Sequence, residues 1–169
     1  MAHPQHDIVR QRYEFRCGYC GVSEADTGGA LTVDHFRPVS AGGGNSDKNL
    51  VYACFKCNQY EGNFVPNVED ERNGHRVLHP KNDGIDEHTR LNDSTGLLEG
   101  LTETGCFHIA LLQLNRSALV QHRLQGWMAR WLSKRREMLE DKAAMLTSTI
   151  TGLELHIARL ERLLEPPTK

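Results

Sequence analysis

The spacing of apolar and polar positions predicts a short helix and a strand near the start of the chain. Residues 1–16 carry a partial apolar face, which is typical of a short helix. Residues 30–35 alternate, with Leu31, Val33 and His35 on one side and Thr32 and Asp34 on the other. Such alternation predicts a strand whose second side, Asp34 included, is polar.

A second strand and a second short helix are expected after a glycine-rich loop. Residues 49–53 are apolar and predict a strand that pairs with the first as a hairpin with a long connection. A helix is expected from Cys54 and ends near Gly62 or Pro66. Residues 67–105 show no firm periodicity and predict an irregular segment, and from Phe107 the pattern becomes helical.

The C-terminal segment repeats apolar residues at heptad spacing. One row reads Leu132, Leu139, Leu146, Leu153 and Leu160, and the complementary row reads Arg136, Ala143, Ile150, Ile157 and Leu164. This pattern predicts a coiled coil, either a homodimer or a docking helix for a protein partner. A long helix folding back on its own domain, or a helical hairpin broken near residues 147–149 or Gly152, is the alternative.

Composition limits the class of protein. A chain of 169 residues and 19.1 kDa suffices for one domain, or for a small domain with a helical appendage. The formal net charge of −2 is unlike that of a histone-like binder. No apolar run approaches the length of a membrane span, and the first residues lack an apolar signal region. We therefore expect a cytoplasmic protein without membrane contact.

Basic residues gather toward the end of the chain. Residues 106–169 hold ten basic and six acidic residues, and residues 116–136 hold six basic residues and no acidic one. Arg116, Arg123 and Arg130 recur every seven residues and would share one helix face. This face is either a solvated surface or a grip for the phosphates of a nucleic acid.

Two Cys-x2-Cys pairs are the strongest structural signal. Cys17 and Cys20 form one pair, Cys54 and Cys57 form the other, and 33 residues lie between them. Two such pairs supply the four thiolates of a tetrahedral zinc site. Because four thiolates leave no open coordination position, this zinc would be structural.

A mixed ligand set is an alternative to the four cysteines. Cys54 and Cys57 also precede His75 and His79, with 17 residues between Cys57 and His75. That set would leave the first cysteine pair unexplained. The fifth cysteine, Cys106, is expected to be an ordinary buried thiol.

Three segments resemble the HNH nuclease family. They are CGYCG at 17–21, LTVDHFRPVSAGGG at 31–44 and NLVYACFKCNQ at 49–59. The resemblance implies an α+β fold: a small zinc-stapled, treble-clef-like ββα-metal finger, followed by an irregular segment and C-terminal helices. It also implies that the finger holds one divalent ion against a scissile phosphate.

The resemblance assigns roles to four residues. His35 matches the general base that activates water, and Asp34 matches the carboxylate that binds the catalytic ion. Asn49 matches the asparagine that braces the loop and orients the base. Asn58 stands where the family has the second protein ligand of the ion, so the chain is an HNN variant. Elementary chemistry agrees, since neutral imidazole accepts a proton near pH 7 and Mg²⁺ or Mn²⁺ prefers oxygen ligands.

The resemblance continues past the finger. Residues 75–80, 86–105 and 110–123 are similar to the downstream part of many bacterial HNH proteins, so residues 1–125 are expected to form one unit. We divide the chain into a nuclease finger with its N-terminal helix at 1–66, a downstream support region at 67–125, and a helical tail at 126–169. His75, His79 and His88 are expected to be structural.

The function predicted from these residues is metal-dependent endonucleolytic hydrolysis of DNA. Arg37, in the loop between the motif's halves, is a further candidate phosphate contact beside Arg116, Arg123 and Arg130. One alternative is a non-cleaving zinc module that binds nucleic acid or protein. Another is a nuclease subunit that is active only with a partner, as in anti-phage systems that pair HNH proteins with ATPases.

Overall fold

The computed structural model describes the backbone of residues 3–164 and the side chains of residues 3–163. The chain divides into two compact units, Met1–Leu124 and Gln125–Lys169. Helices and small antiparallel sheets are mixed in the first unit, as the sequence predicts for an α+β protein. Within the described residues, no helix combines the length and apolarity that a membrane crossing requires.

The first 66 residues form a hairpin flanked by short helices. Its elements are α1 (His6–Arg12), α2 (Glu24–Thr27), β1 (Thr32–His35), β2 (Leu50–Ala53) and α3 (Phe55–Glu61). β1 and β2 are antiparallel, with Thr32 opposite Ala53 and His35 opposite Leu50. Gly62, at a φ of 60°, ends α3. The predicted hairpin and following helix are thus confirmed.

The core of the first unit lies around β2. All four residues of this strand are fully buried, with Val9 of α1 and Tyr13, which follows α1, packed into the same core. The first cysteine knuckle lies close to β2, since Gly18 donates a backbone hydrogen bond of 2.7 Å to Tyr52. A Cβ at Gly18 would lie 2.6 Å from the Tyr13 ring, so only glycine permits this approach.

Short elements occupy the region without periodicity. They are α4 (Val68–Arg72), α5 (Ile85–His88), β3 (Thr89–Leu91), β4 (Leu98–Gly100) and α6 (Glu103–Leu111). β3 and β4 form a second antiparallel hairpin. Asn115 holds this hairpin through both groups of its side-chain amide, which bond the backbone N–H and C=O of Leu98 at 2.8 Å each. All of these elements except α6 have three to five residues, which is too short to reveal a period in sequence.

The last helix, α7 (Ser117–Leu164), is continuous for 48 residues. It runs without a break through Gly126, residues 147–149 and Gly152. The predicted alternative of a helical hairpin broken at these positions is therefore wrong. Thr147 and Thr149 place their hydroxyls on the carbonyls of Ala143 and Met145, at 2.9 and 3.0 Å, so they are accommodated within the helix.

Candidate active site and zinc centre

Four cysteine side chains converge at the base of the hairpin. Cys17 and Cys20 lie on the knuckle before α2, Cys54 precedes α3, and Cys57 lies in its first turn. Their Sγ atoms all lie within 4.8 Å of one another, and Cys20 and Cys54 are 3.7 Å apart. Tetrahedral zinc with Zn–S bonds of ~2.3 Å requires sulfur–sulfur distances of about 3.8 Å. The donor set fits structural zinc.

The mixed cysteine–histidine set is not assembled. His75 stacks on Phe107, with ring centroids 4.9 Å apart. His79 meets the edge of Phe36 at 4.7 Å. Both histidines are thus packed against aromatic rings, and the four cysteines account for the metal site by themselves.

Arg116 is directed at the cysteine cluster. Its guanidinium lies 3.9 Å from Cys54 Sγ and 3.8 Å from Cys57 Sγ. Four thiolates around one zinc ion carry a net negative charge, which this cation offsets. Burial lowers the pKa of Arg116, but the neighbouring thiolates outweigh burial and raise it. From the sequence, Arg116 was expected on a helix face that is either solvated or phosphate-binding, and no local pattern indicates its contact with the cysteines.

Asp34, His35 and Asn58 line a single groove. The groove has a volume of about 310 Å³ and is also lined by Ser40 and Asn63. Asp34 and His35 are the last two residues of β1, and Asn58 lies one residue after Cys57 on α3. The zinc site anchors the start of α3, so it also fixes Asn58 relative to the strand.

Asp34 is buried, contrary to the polar side predicted from the strand's alternation. Only 6% of the residue is exposed, whereas Thr32 on the same side of the strand is exposed. The reason is Tyr19 of the cysteine knuckle, which covers the carboxylate and donates a 2.9 Å hydrogen bond to Oδ2. Burial raises the pKa of Asp34, while the hydrogen bond from Tyr19 lowers it. The carboxylate also accepts a hydrogen bond from the backbone N–H of His35, which lowers the pKa as well.

Glu61 is a second buried carboxyl group, and no pattern in the sequence indicated that it would be buried. It closes α3 and is 2% exposed, and neither carboxyl oxygen has a hydrogen-bond partner among the described residues. Burial, with a further contribution from the charge of Asp34, raises the pKa of Glu61 to about 9. The group is therefore protonated at neutral pH.

The side chain of Asn58 is held by a short hydrogen-bonded chain. Its Nδ2 donates to Thr32 Oγ1 at 3.1 Å, and that hydroxyl donates to the carbonyl of Ala53 at 3.1 Å. Because the amide nitrogen is used in this way, Oδ1 is the atom free to bind a metal ion. Asp34 and Asn58 thus offer two oxygen atoms to the groove, which suits a hard divalent cation.

His35 is oriented by an asparagine of the loop. Nε2 of His35 lies 2.7 Å from Asn45 Oδ1. Because an amide oxygen only accepts, Nε2 carries the proton and Nδ1 of the neutral ring is the basic nitrogen. His3 approaches the same Oδ1 at 3.3 Å, and its ring meets the His35 ring edge-on at 5.5 Å.

Asn49 lies outside the groove and closes the loop that forms its rim. Its Oδ1 accepts from the backbone N–H of Arg37 at 2.8 Å, and its Nδ2 donates to the carbonyls of Arg37 and Gly44 at 3.1 and 2.9 Å. A Cβ at Gly43 would lie 1.8 Å from the Arg37 carbonyl oxygen, so this loop requires glycine there.

The predicted phosphate-contacting arginines have different environments. Arg37 is exposed and uses Nε to bond the carbonyl of Ala41 at 2.8 Å. Arg123 donates to the carbonyls of Gly96 and Leu114 at 3.1 and 2.7 Å, so its guanidinium forms hydrogen bonds within the first unit. Arg130 is exposed on α7.

Two remaining side chains can be placed as well. His88 has its Nδ1 2.7 Å from the hydroxyl of Thr102 at the start of α6. Cys106 is exposed, so the expectation of a buried thiol is wrong. Cys106 lies on α6 with its Sγ beside Gly100 of β4, where a Cβ would come within 2.5 Å of the sulfur.

Comparison with protein families identifies the same segment. The family model described as HNH endonuclease matches residues 17–64. The matched range begins at the first zinc-binding cysteine and includes Asp34, His35, Asn49 and Asn58. No curated protein and no solved structure matches the chain. Residues 17–64, with their four-cysteine cluster, are therefore similar to the HNH endonuclease family.

Proposed function

We propose that this protein is a metal-dependent endonuclease that hydrolyses phosphodiester bonds of DNA. The observation that carries the proposal is the convergence of Asp34, His35 and Asn58 on one groove. An imidazole base beside two oxygen ligands is the minimal equipment for hydrolysing a phosphodiester.

In this proposal His35 is the general base. The hydrogen bond to Asn45 Oδ1 holds the proton on Nε2, so Nδ1 accepts the proton of the attacking water. Asn45 acts through His35 and is a positioning residue, as in other sites where a third group fixes the tautomer of the base. Asn49 positions the same loop through its hydrogen bonds to the backbone of Arg37.

The side-chain oxygens of Asp34 and Asn58 would hold the catalytic Mg²⁺ or Mn²⁺. When bound, such an ion neutralises charge on the phosphate and stabilises the leaving oxygen as a Lewis acid. Tyr19 fixes the rotamer of Asp34, and Thr32 fixes the amide of Asn58. The zinc ion is a structural cofactor that holds the knuckle and α3 in place. Arg37 is the loop residue placed to meet the DNA backbone.

Plasmid cleavage tests the proposal. Supercoiled DNA is incubated with zinc-loaded protein and increasing Mg²⁺ or Mn²⁺, and nicked and linear products are measured. We expect cleavage that EDTA abolishes and that His35→Ala reduces by about a hundredfold or more. His88→Ala is the matched control, because His88 bonds Thr102 outside the groove; it should cleave as the wild type does.

Two results would contradict the proposal in different ways. Cleavage that persists in His35→Ala would remove His35 from the mechanism. A zinc-loaded protein that binds DNA but cleaves none, alone or with the products of neighbouring genes, would favour the non-cleaving binding module. Cleavage that requires such a product would identify a partner-dependent nuclease and leave the assigned site intact.

A further inference from the structure

The C-terminal half of α7 presents an apolar stripe to solvent. The d-position leucines of the heptad pattern are exposed between 47% at Leu160 and 63% at Leu146. Ile150 and Ile157, on the complementary row, are 55% and 54% exposed. A lone helix gains little stability from such a stripe unless the stripe is covered, because packing of the apolar face supplies most helical stability.

The residues of this stripe are those of a two-stranded coiled coil. Leucine occupies every d position of five successive heptads, and isoleucine occupies the a positions at 150 and 157. β-Branched residues at a with leucine at d favour parallel dimers over larger bundles. Thr147, Thr149 and Gly152 fall at e, g and c, so none of them interrupts the stripe.

The residues flanking the stripe segregate by charge. The e positions are Ser133, Glu140, Thr147, Glu154 and Glu161. The g positions are Arg135, Lys142, Thr149, His156 and Leu163. No e position is basic and no g position is acidic. This asymmetry distinguishes the two ways in which a second copy can lie against the first.

In a parallel, in-register pair, each g residue meets the e residue of the following heptad in the other copy. Arg135 then faces Glu140 of the second copy, and His156 faces Glu161. The two remaining g–e pairs combine a charged residue with a threonine, so no like charges meet. In an antiparallel pair, e residues face e residues and g residues face g residues, which brings acid against acid and base against base.

We infer that residues 125–164 dimerise with a second copy of this chain as a parallel, in-register coiled coil. The inference is independent of the proposed nuclease function, because it depends on the tail alone. Parallel pairing brings the two Gln125 ends of the helices together, so each particle carries two HNH domains, both entering the coil from the same end. At ~1.5 Å per residue, residues 132–163 supply a seam of about 47 Å.

The mass of the full-length protein in solution tests the association. Light scattering across a dilution series should give twice 19.1 kDa. Leu153→Lys with Ile157→Lys, on the stripe, should give a monomer. Zinc content and the circular dichroism spectrum of the whole protein check that the first unit stays folded. A wild-type monomer, a trimer or a tetramer would overturn the inference.

Charge exchange tests the flanking contacts. Glu140→Lys with Glu161→Lys should raise the dissociation constant by at least about tenfold, because the Arg135–Glu140 pair becomes repulsive and the His156–Glu161 contact is lost. The matched control, Glu137→Lys with Asp141→Lys, makes the same charge change at b and f positions and should leave the constant unchanged. Mixing the e-position variant with Arg135→Glu/His156→Glu should restore association as a heterodimer. An equal effect of control and test variants would contradict the assigned register.

Cysteine crosslinking tests the orientation, in zinc-loaded protein with Cys106→Ser. Leu160→Cys should form a disulfide-linked dimer under mild oxidation, since parallel helices bring the two copies of residue 160 together. A mixture of Arg136→Cys and Leu160→Cys proteins should form no 136–160 link, which would require an a residue to face a d residue as in antiparallel pairs. A preferred 136–160 link would show antiparallel pairing and overturn the proposed arrangement.

Discussion

The side-chain amide of Asn49 pairs with the backbone of Arg37 as a neighbouring strand would. Oδ1 accepts from the Arg37 N–H at 2.8 Å, and Nδ2 donates to the Arg37 carbonyl at 3.1 Å. One side chain thus replaces a missing section of the β1–β2 ladder where the loop leaves the sheet. Since the same loop carries Asn45, the partner of His35, loop order and base orientation are linked.

Asn49→Ala should therefore lower cleavage by at least about tenfold while zinc stays bound. The substitution leaves the backbone groups of Arg37 and Gly44 without partners, which loosens the loop. Rates are compared with zinc content and with the KM for DNA, since a positioning role predicts a loss mainly in kcat. Asn63→Ala, which removes an amide from the rim of the same groove, is the control. Equal losses in the two variants would show that Asn49 has no special bracing role.

Tyr19 connects the zinc knuckle to the proposed catalytic metal site. Its hydroxyl donates to Asp34 Oδ2, and a hydrogen bond to a charged acceptor is worth about 1.5–3 kcal/mol. Tyr19→Phe keeps the ring in the core and removes only this donor, so Asp34 is less well held. We expect the Mg²⁺ concentration for half-maximal cleavage to rise by about tenfold. Tyr13→Phe, another buried tyrosine, should leave the Mg²⁺ dependence unchanged.

Arg116 should stabilise the zinc centre. Arg116→Ala removes the cation beside Cys54 and Cys57 and should speed zinc release to a chelator by about tenfold or more. Arg116→Lys keeps the charge but loses the planar donor and should give an intermediate rate. Arg130→Ala, exposed on α7, is the control. If Arg116→Ala weakens only DNA binding and leaves zinc release unchanged, the phosphate role predicted from sequence is correct and this one is wrong.

The sequence predicted those parts of the fold that depend on local spacing. Cysteine pairs, the alternation at residues 30–35 and the apolar run at 49–53 each identify an element by neighbouring residues alone. The resemblance to the HNH family added the candidates Asp34, His35 and Asn58, and the structure brings these three to one groove. The continuity of α7 was left open, because Gly152 and the threonines near it are weak helix formers in isolation.

Contacts across long sequence separations were not predictable in the same way. Arg116 reaches Cys57 over 59 positions, and the heptad spacing of the arginines pointed instead to an exposed face. Tyr19 changes the environment of Asp34 although alternation placed Asp34 on the polar side of its strand. In both cases the surroundings of the side chain are set by a segment distant in sequence. A local pattern of residues carries no information about that segment.

The burial of Glu61 predicts a pH dependence of stability. A carboxyl group whose pKa rises from 4.5 to about 9 on folding holds its proton in the folded state and releases it in the unfolded state between these values. Its contribution to the free energy of unfolding is full below pH 4.5 and falls as pH rises through 9. The zinc-binding thiolates take up protons on unfolding over the same range and act in the opposite direction. We therefore expect the stability of the zinc-loaded, Mg²⁺-free wild type, measured relative to Glu61→Gln, to fall between pH 7 and 9, with a maximal slope of about 1.4 kcal/mol per pH unit.

Glu61→Gln separates this carboxyl group from every other titration. The amide is nearly isosteric and cannot ionise, so the variant should lose most of the slope and exceed the wild type in stability near pH 9. His108, whose pKa burial lowers to about 4, is neutral in both the folded and unfolded states over this range and does not contribute. Denaturant unfolding at pH 7, 8 and 9 measures the effect, with Glu71→Gln on the exposed side of α4 as the control. Identical slopes in wild type and Glu61→Gln would mean that Glu61 is ionised in the folded protein, with a cation or ordered water supplying the partner that its two oxygens lack among the described residues.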